Sequence, residues 1–560
     1  MCIFLLVKEQ WINSSKYICY LVLYIKRDLY PYTNFPDKRE PRDFEEVNKM
    51  KFLRKILFRR ATLTIIAIVL QLLVLIAVIN RFNNYFVYFY GITMFISIVV
   101  VLKIINNKSN PAYKIAWIIP ILIFPIFGGL FYIFFGGNKT SKRTKRRMKF
   151  IEDKTLEVLV PQKLILDEMG LLSESASNQS RYIQNYSYYP PYKNTASEYL
   201  PTGEIKFERL KEELKKAEHY IFLEYFIIKQ GLMWNSIVDI LVEKIKQGVD
   251  VRVIYDDLGC IISLPYGYDK KLERMGIKCC VFNPLIPILS SRINNRDHRK
   301  IAIIDGHTGF TGGVNLADEY INELNKYGHW KDTSIMLKGE AVWNLTIMFL
   351  SMWDYLRGIE ENFRMFKKDI LLNNEISENG YVQPFADSPF DDEPVGEIVY
   401  LNLINKARRY VYITTPYLIV NNELITALTS AAKGGVDVRI ITPHNADKRL
   451  VHEVSKSYYK VLIESGVKIY EYTPGFIHSK SYVSDDEYGV VGTINMDYRS
   501  LYLHFECGVW LYRSSSIYDI KEDFIDTLKK CRQIILEDFK EIKWYRTLAD
   551  SILRIFAPLM

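Results

Sequence analysis

One motif occurs twice in the 560-residue chain, at equivalent places of two similar blocks. The first copy reads HRKIAIIDGHTGFTGGVN (298–315) and the second reads HSKSYVSDDEYGVVGTIN (478–495). Each copy contains a histidine, a lysine two residues later and an aspartate five residues after that: His298, Lys300 and Asp305, then His478, Lys480 and Asp485. Because side chains alternate along a strand, each histidine should share a face with its lysine. Two such copies predict two equivalent chemical sites in a duplicated fold.

The sequence around the motifs repeats in the same order. YIFLEYFII (220–228) matches YVYITTPYLIV (410–420), GVDVRVIYDD (248–257) matches GVDVRIITP (435–443), and HWKDTSIML (329–337) matches HFECGVWL (504–511). In the first block, residues 220–228 and 249–255 have the pattern of buried strands, and residues 207–218 and 237–246 that of helices. This alternation predicts two α/β domains, each with a mostly parallel sheet flanked by helices.

The repeats and the composition divide the chain into six predicted segments. These are an N-terminal extension (1–49), a membrane domain (50–137), a basic juxtamembrane linker (138–199), a first α/β domain (200–372), a linker (373–395) and a second α/β domain (396–560). Met50 opens MKFLRKILFRR, which is typical of the start of a membrane protein. Two interpretations of residues 1–49 therefore stay open: a polar extension, or a stretch that is not translated.

Three uncharged stretches predict a multi-pass protein of the cell membrane: residues 61–80, 86–102 and 115–135. The first and third have the ~20 apolar residues that a helix needs to cross a bilayer, and the second is near the short limit. Basic residues are dense before the first stretch and after the third, over 139–149. Cytoplasmic loops prefer such residues, yet three spans would put these two regions on opposite sides. Either the third stretch does not cross, or one end breaks the rule.

Charge and cysteine content limit the partners. The net charge of +9 favours anionic partners and does not by itself separate lipid surfaces from nucleic acid. The seven cysteines form no CxxC pair and no cluster with histidines, so neither a disulfide framework nor a zinc site is predicted. The sequence predicts no metal and no other cofactor.

The duplicated H-x-K-x4-D motif resembles that of the phospholipase D superfamily, over roughly residues 200–560. Within it, bacterial cardiolipin synthases are the most similar family. They share the apolar segment NPAYKIAWIIPILIFPIFGGLFYIFFG (110–136) and the ending RIFAPLM (554–560). The resemblance implies a pseudo-twofold unit that joins two phosphatidylglycerol molecules into cardiolipin and releases glycerol. A phospholipase D that hydrolyses or exchanges headgroups is the alternative. A nuclease, and hence a nucleic-acid partner, is disfavoured because it needs no apolar segments.

The motif residues suit phosphodiester chemistry without a metal. One imidazole would attack phosphorus and form a phosphohistidine, while the other protonates the leaving alcohol and then deprotonates the incoming one. The non-bridging oxygens would be held by four side chains: Lys300, Lys480, Asn315 and Asn495. By the same resemblance, phosphatidylglycerol as substrate and other anionic membrane lipids are the predicted partners.

A nucleophilic imidazole needs its second nitrogen held by an acceptor. The repeats offer two sets of candidates, Asp332 with Glu506, or the motif residues Asp305 with Asp485. For the latter pair, a structural role in the turn after the strand is an equal alternative. Superfamily members usually carry asparagine where this chain has His504. By resemblance the first motif is nucleophilic, and its apolar strand IAII predicts a drier site for a phosphohistidine than SYVS does.

Overall fold

The fold was derived from a computed structural model of the chain. It describes residues 69–70, 73, 76–77, 86–107, 110–124, 128–129, 132–133, 136, 142–285, 294–367, 380–391, 393–540 and 544–559. All of them belong to one compact unit, residues 63–560. The predicted extension 1–49 lies outside the described residues, as does most of the predicted span 61–80.

The helices before the first sheet are α1 (Phe86–Ile105), α2 (Pro111–Ile123), α3 (Lys142–Val158), α4 (Lys163–Leu172) and α5 (Glu174–Tyr182). The first half contains β1 (Thr195–Leu200), α6 (Gly203–Lys216), β2 (Tyr220–Tyr225), α7 (Leu232–Lys246), β3 (Asp250–Asp256), α8 (Asp257–Cys260), α9 (Tyr268–Arg274), β4 (Lys278–Phe282), β5 (Arg296–Asp297), β6 (Lys300–Ile304), β7 (Thr308–Gly312), β8 (His329–Lys331), β9 (Ser334–Gly339) and α10 (Val342–Arg357).

The second half contains β10 (Tyr381–Asp387), α11 (Val395–Lys406), β11 (Tyr410–Thr414), α12 (Asn422–Lys433), β12 (Asp437–Pro443), α13 (Arg449–Ser457), α14 (Tyr459–Ile463), β13 (Lys468–Tyr472), β14 (Gly475–Ile477), β15 (Ser481–Ser484), β16 (Tyr488–Gly492), α15 (Tyr498–Tyr502), β17 (His504–Tyr512), α16 (Ser516–Leu528), β18 (Cys531–Ile534) and α17 (Trp544–Phe556).

The two halves have the same sheet topology. The first sheet runs β1-β9-β7-β6-β2-β3-β4, and the second runs β10-β17-β16-β15-β11-β12-β13-β18, so that only the last strand lacks an equivalent among the described residues. The motif strands are β6 and β15, at equivalent places of the two sheets. Lys300 is the first residue of β6, and Lys480 lies one residue before β15. The duplication inferred from the sequence is confirmed at the level of individual strands.

The sheets are mixed, and the prediction of mostly parallel sheets was wrong. Pairing is parallel in β2–β3–β4 and in β11–β12–β13. Apart from the short β5, which pairs in parallel with β17, the remaining pairings in these sheets are antiparallel, including β2–β6, β6–β7 and β11–β15. The reason is connection length. Three residues (305–307) join β6 to β7, which is enough for a hairpin and too few for a crossover between parallel strands.

Segments predicted to be linkers contribute to the folded unit. Strand β1 begins before residue 200 and pairs with β9, and β10 lies inside the predicted linker 373–395 and pairs with β17. Within 138–199, Leu159 and Met169 are buried in the hydrophobic cores. Helix α10 lies between the halves with twelve buried residues, and packs against β6 of the first sheet and β10 of the second.

The three predicted membrane spans are not confirmed by the described residues. The second corresponds to α1, and the third begins within α2, which ends at Ile123. Within the described part of the chain, no helix combines the length and the apolar character needed to cross a bilayer. Helices α1 and α2 pack on each other around Trp117 and Ile121.

Candidate active site

Each motif histidine is fixed by a short strand that pairs with the other half. Strand β5 pairs in parallel with the start of β17, and the backbone N–H of His298 donates to the carbonyl of Phe505 at 2.9 Å. Strand β14 pairs in parallel with β8 in the same way, and the N–H of His478 donates to the carbonyl of Lys331 at 2.7 Å. Both histidines therefore lie at the boundary between the halves.

The carboxylates that hold the imidazoles are exchanged between the halves. Nδ1 of His298 lies 2.9 and 3.0 Å from the two carboxylate oxygens of Glu506 in the second half. Nδ1 of His478 lies 2.7 Å from Oδ2 of Asp332 in the first half. Both acids are completely buried. Since a carboxylate accepts, Nδ1 carries the proton and Nε2 keeps its lone pair for substrate. Of the two candidate sets of carboxylates, this one contacts the histidines.

Two buried lysines lie beside the imidazoles. Lys300 donates to the carbonyl of His298, and Lys480 donates to the carbonyl of His478 at 2.5 Å. Nζ of Lys480 also lies 2.9 Å from Nδ1 and 3.1 Å from Nε2 of His478. Burial lowers the pKa of Lys300 to about 8 and that of Lys480 to about 7, against the opposing effects of Glu506 and Asp332. Ammonium groups in so dry a site favour an anion.

The electrostatics join the motifs into one site. Burial lowers the pKa of His298 well below its usual range, and the charges of Lys300 and Lys480 add to the effect. The pKa of His478 falls for the same reasons. Burial also raises the pKa of Asp332 to about 7, opposed mainly by Lys480. Without substrate, both imidazoles are thus neutral near pH 7, the form in which a histidine can attack.

Aromatic rings enclose the two imidazoles, and these residues were not predicted. The ring of Phe226 lies 4.9 Å from that of His298, and the ring of Trp330 lies 5.5 Å from that of His478. His504 lies 5.6 Å from His298, at the position equivalent to Trp330, because each precedes its acid by two residues. The repeat alignment alone could have identified this pair. Burial lowers the pKa of His504 to about 3, so that it is neutral.

The two predicted asparagines have different surroundings. Oδ1 of Asn315 accepts from the backbone of Ile227 at 2.9 Å, and its Nδ2 donates to the hydroxyl of Tyr320 at 2.7 Å. Asn315 thus connects β7 to the end of β2, and most of its hydrogen-bonding capacity is used. Among the described residues, Oδ1 of Asn495 is buried without a hydrogen-bond partner. This free atom is an acceptor, so it suits a hydroxyl or N–H donor of a ligand and not a phosphate oxygen.

Asp305 and Asp485, predicted as catalytic, are not part of this cluster. The carboxylate of Asp305 accepts from the backbone N–H groups of residues 218, 219 and 220 at 2.7 to 2.8 Å. That of Asp485 accepts from residues 408, 409 and 410 in the same way. Both have positive φ, 50° and 55°, in the turn after the motif strand. A five-residue strand is ~16 Å long, so these carboxylates lie far from the imidazoles. Their contacts are those of the structural alternative.

Other acids near the first motif support its backbone. Asp256 accepts from the N–H of Gly259 and of Asp297, next to the motif, and Glu224 forms a 2.5 Å ion pair with Arg299. Among the described residues, one group has metal-ligand spacing: His298, His504 and Glu506, whose donor atoms lie within 4.8 Å of one another. The sequence had not predicted this group. His298 and Glu506 already bond to each other, which the mechanism below uses.

Comparison with known proteins agrees with this geometry. The family described as "Cardiolipin synthase, PLD-like domain" matches residues 210–333 and 400–528, and "Phospholipase_D-nuclease N-terminal" matches residues 95–137. An uncharacterized protein of Streptococcus mutans is 43% identical over 471 residues, covering 82% of this chain and 99% of its own. The "Cardiolipin synthase" of Geobacillus kaustophilus is 35% identical over 476 residues, covering 84% and 94%. That of Halalkalibacterium halodurans is 34% identical over 471 residues, covering 83% and 92%.

A solved structure shares the fold. The phosphatidylserine synthase of Haemophilus influenzae superposes with a TM-score of 0.51 at 16% identity, covering 68% of this chain and 97% of its own. At that identity the likeness concerns the fold alone. The two cardiolipin synthases above each match more than four fifths of this chain and more than nine tenths of their own length. On these grounds the chain belongs to the bacterial cardiolipin synthase family of the phospholipase D superfamily.

Proposed function

We propose that the protein is a phosphatidyltransferase that converts two phosphatidylglycerol molecules into cardiolipin and glycerol. One observation carries the proposal: two imidazoles at one boundary, each with Nδ1 at hydrogen-bond distance from a buried carboxylate of the opposite half. Paired imidazoles of this kind suit double displacement at phosphorus, because one can bond to phosphorus while the other moves protons.

In the first step, Nε2 of one histidine attacks the phosphorus of a phosphatidylglycerol. A P–N bond forms, the bond from phosphorus to the glycerol oxygen breaks, and the opposite histidine gives that oxygen its proton. The anionic substrate raises the pKa of the second imidazole, which lets it carry that proton. In the second step, this now neutral histidine removes the proton from a glycerol hydroxyl of another phosphatidylglycerol. The new P–O bond forms as the P–N bond breaks.

Positive charge forms on each imidazole during the cycle, and the exchanged carboxylates stabilise it. Glu506 serves His298, and Asp332 serves His478. Lys300 and Lys480 hold the non-bridging oxygens, and Nδ2 of Asn495, the donor of its amide, supplements them. The proposal assigns Asn315 to support of the site, and Asp305 and Asp485 to bracing the turns that end the motif strands.

His298 is the proposed nucleophile, on the resemblance to the superfamily. The expectation of a drier first site adds little to this choice, because β6 and β15 are both fully buried and the two histidines are 7% and 6% exposed. The structural difference between the two is the neighbouring ring, His504 beside His298 and Trp330 beside His478.

The proposal includes insertion of residues 61–135 in the cell membrane as a multi-pass segment. The apolar residues that α1 leaves exposed support it, among them Phe95 at 67% and Ile92 at 61% exposure. Extraction of membranes at alkaline pH tests this part. The chain should stay with the lipid, and its release into the supernatant would argue against insertion.

The function is tested by giving the purified protein phosphatidylglycerol labelled in its headgroup and acyl chains. Cardiolipin and free glycerol should form in a 1:1 ratio. Phosphatidic acid as the main product would instead identify the alternative, a phospholipase D. The His298→Ala and His478→Ala variants, prepared in parallel, show whether the product comes from this site.

A further inference from the structure

Helix α17 presents an apolar stripe to solvent near the end of the chain. Four of its side chains are about half exposed or more: Trp544 at 77%, Tyr545 at 55%, Leu548 at 53% and Ile552 at 48%. Residues 544, 548 and 552 are four apart, so they follow one side of the helix, and Tyr545 lies next to them. We call these four residues the α17 stripe.

The other side of α17 is fixed to the catalytic unit. Leu553 packs against the core of the second half. The guanidinium of Arg554 lies 4.6 Å from the ring centre of Tyr458, and its Nε donates to Ser457 at 3.3 Å. These contacts at the end of α13 hold the helix with the α17 stripe on its outer side.

The residues that follow α17 connect it to the apolar helices of the N-terminal segment. Ala557 is completely buried, and Leu559 packs against the α1–α2 cluster around Trp117. These residues belong to the ending RIFAPLM, for which the catalytic chemistry gives no role. Helix α2, which contacts α17, itself leaves Leu122 and Ile123 more than 60% exposed. Neighbouring helices from both ends of the chain thus expose apolar residues.

We propose that α17 lies flat on a phospholipid bilayer, with the α17 stripe among the upper acyl chains. A tryptophan and a tyrosine at one end of an amphipathic helix match the preference of these residues for the boundary between headgroups and acyl chains. The bilayer is the chosen occupant because the stripe adjoins helices that are apolar on their own exposed surfaces. The inference rests on the proposed function, which makes a phospholipid the substrate.

Contacts of α2 connect the membrane-facing helices to the strand that carries Glu506. Asn110, the N-cap of α2, donates to the hydroxyl of Tyr502 at 3.0 Å, and Tyr502 ends α15 just before His504. Asn421 and Glu397 bond to the same hydroxyl. A bilayer that holds α17 and α2 would therefore also fix the position of β17, which carries Glu506. The stripe should matter for substrate in a bilayer and not for dissolved substrate.

The test compares two double variants of the full-length protein. Leu548→Glu with Ile552→Glu places charges in the α17 stripe. Leu164→Glu with Leu171→Glu makes the same changes at leucines of α4 that are 83% and 89% exposed. Both proteins are assayed on bilayer vesicles of phosphatidylglycerol and phosphatidylcholine, and on short-chain phosphatidylglycerol below its micellar concentration. The stripe variant should lose roughly tenfold in rate on vesicles only, and the α4 variant should match the unmodified protein on both.

Three results would overturn the inference. The first is an unchanged rate on vesicles in the stripe variant. The second is an equal loss of rate on both substrates, which would indicate misfolding. The third is conversion of a dimer to a monomer, which would show that a second copy of the chain covers the stripe. Quenching of Trp544 fluorescence by lipids brominated on the acyl chains, taken as the difference from Trp544→Phe, tests location without turnover. Quenching supports the inference even if no cardiolipin is made, a result that would count against the proposed function alone.

Discussion

Replacing Glu506 by glutamine tests the exchange of carboxylates between the halves. The two oxygens lie 2.9 and 3.0 Å from Nδ1 of His298, which places the charge centres of a carboxylate and an imidazolium about 4 Å apart. At the effective dielectric constant of ~20 that suits protein sites, such a pair interacts by about 4 kcal/mol. Glutamine removes that charge and can donate to Nδ1, which favours the tautomer with its proton on Nε2. The expected loss in kcat is therefore about a thousandfold.

The assay is formation of cardiolipin at saturating phosphatidylglycerol, with thermal unfolding measured on the same preparation. Glu213→Gln is the matched control. Glu213 is also buried, and its carboxylate bonds to Lys216 at 2.7 Å and Lys338 at 2.9 Å, away from the motifs. Both variants lose a paired buried charge, and only the change at Glu506 should lower kcat. More than a tenth of the native kcat in Glu506→Gln would refute the role given to this carboxylate.

The remaining predictions concern the motifs and metal dependence. His298→Ala and His478→Ala should each abolish turnover without changing membrane extraction, and a tenth of the native rate in either would argue against two non-redundant histidines. Lys480→Met should be inactive yet melt at a higher temperature than the native protein at pH 7. The pKa of Lys480 is about 7 in the folded chain, so between about pH 7 and pH 10 the folded chain binds fewer protons than the unfolded chain. The stability gained by the variant should therefore shrink as the pH rises from 7 to 10. Asp305→Asn should lower the free energy of unfolding by about 2–4 kcal/mol, because three backbone N–H groups then bond to an uncharged acceptor. The folded fraction should keep its kcat. A hundredfold loss of kcat at an unchanged melting temperature would instead indicate a catalytic role for Asp305. Activity should survive EDTA, and loss that zinc restores would direct attention to the His298 group with metal-ligand spacing.

Much of the fold follows from local patterns in the sequence. The strand predicted at 220–228 is observed at Tyr220–Tyr225, and the one predicted at 249–255 at Asp250–Asp256. Both helices predicted in this region are present, each beginning four or five residues earlier than expected. Periodicity identifies such elements because each buries one side of its own length. It carries no information on strand direction, and for that reason the antiparallel pairing of the strands after residue 300 was missed.

Only part of the candidate site could be predicted from the sequence: the residues that form it, but not how they pair. Repeat alignment identified Asp332 and Glu506 as possible partners of the histidines, since it depends on sequence alone. Which acid meets which histidine depends on how the halves assemble, and 208 residues separate His298 from Glu506. The separation of Asp305 from His298 could have been predicted from the sequence, because the two ends of a five-residue strand are ~16 Å apart. Trp330 could have been found by aligning the repeats on their acids, whereas Phe226 carries no motif that distinguishes it from core residues.

The exchange of carboxylates has a consequence for the protein during its synthesis. His298 leaves the ribosome long before Glu506, the acid that orients it, and the strand that carries Glu506 is among the last to be made. Until β17 has paired with β5, the imidazole lacks the acceptor that fixes its tautomer. Under the proposed mechanism, a chain that ends before β17 has both motif lysines and still lacks the carboxylate that His298 needs. Reactivity is withheld until both halves have folded together.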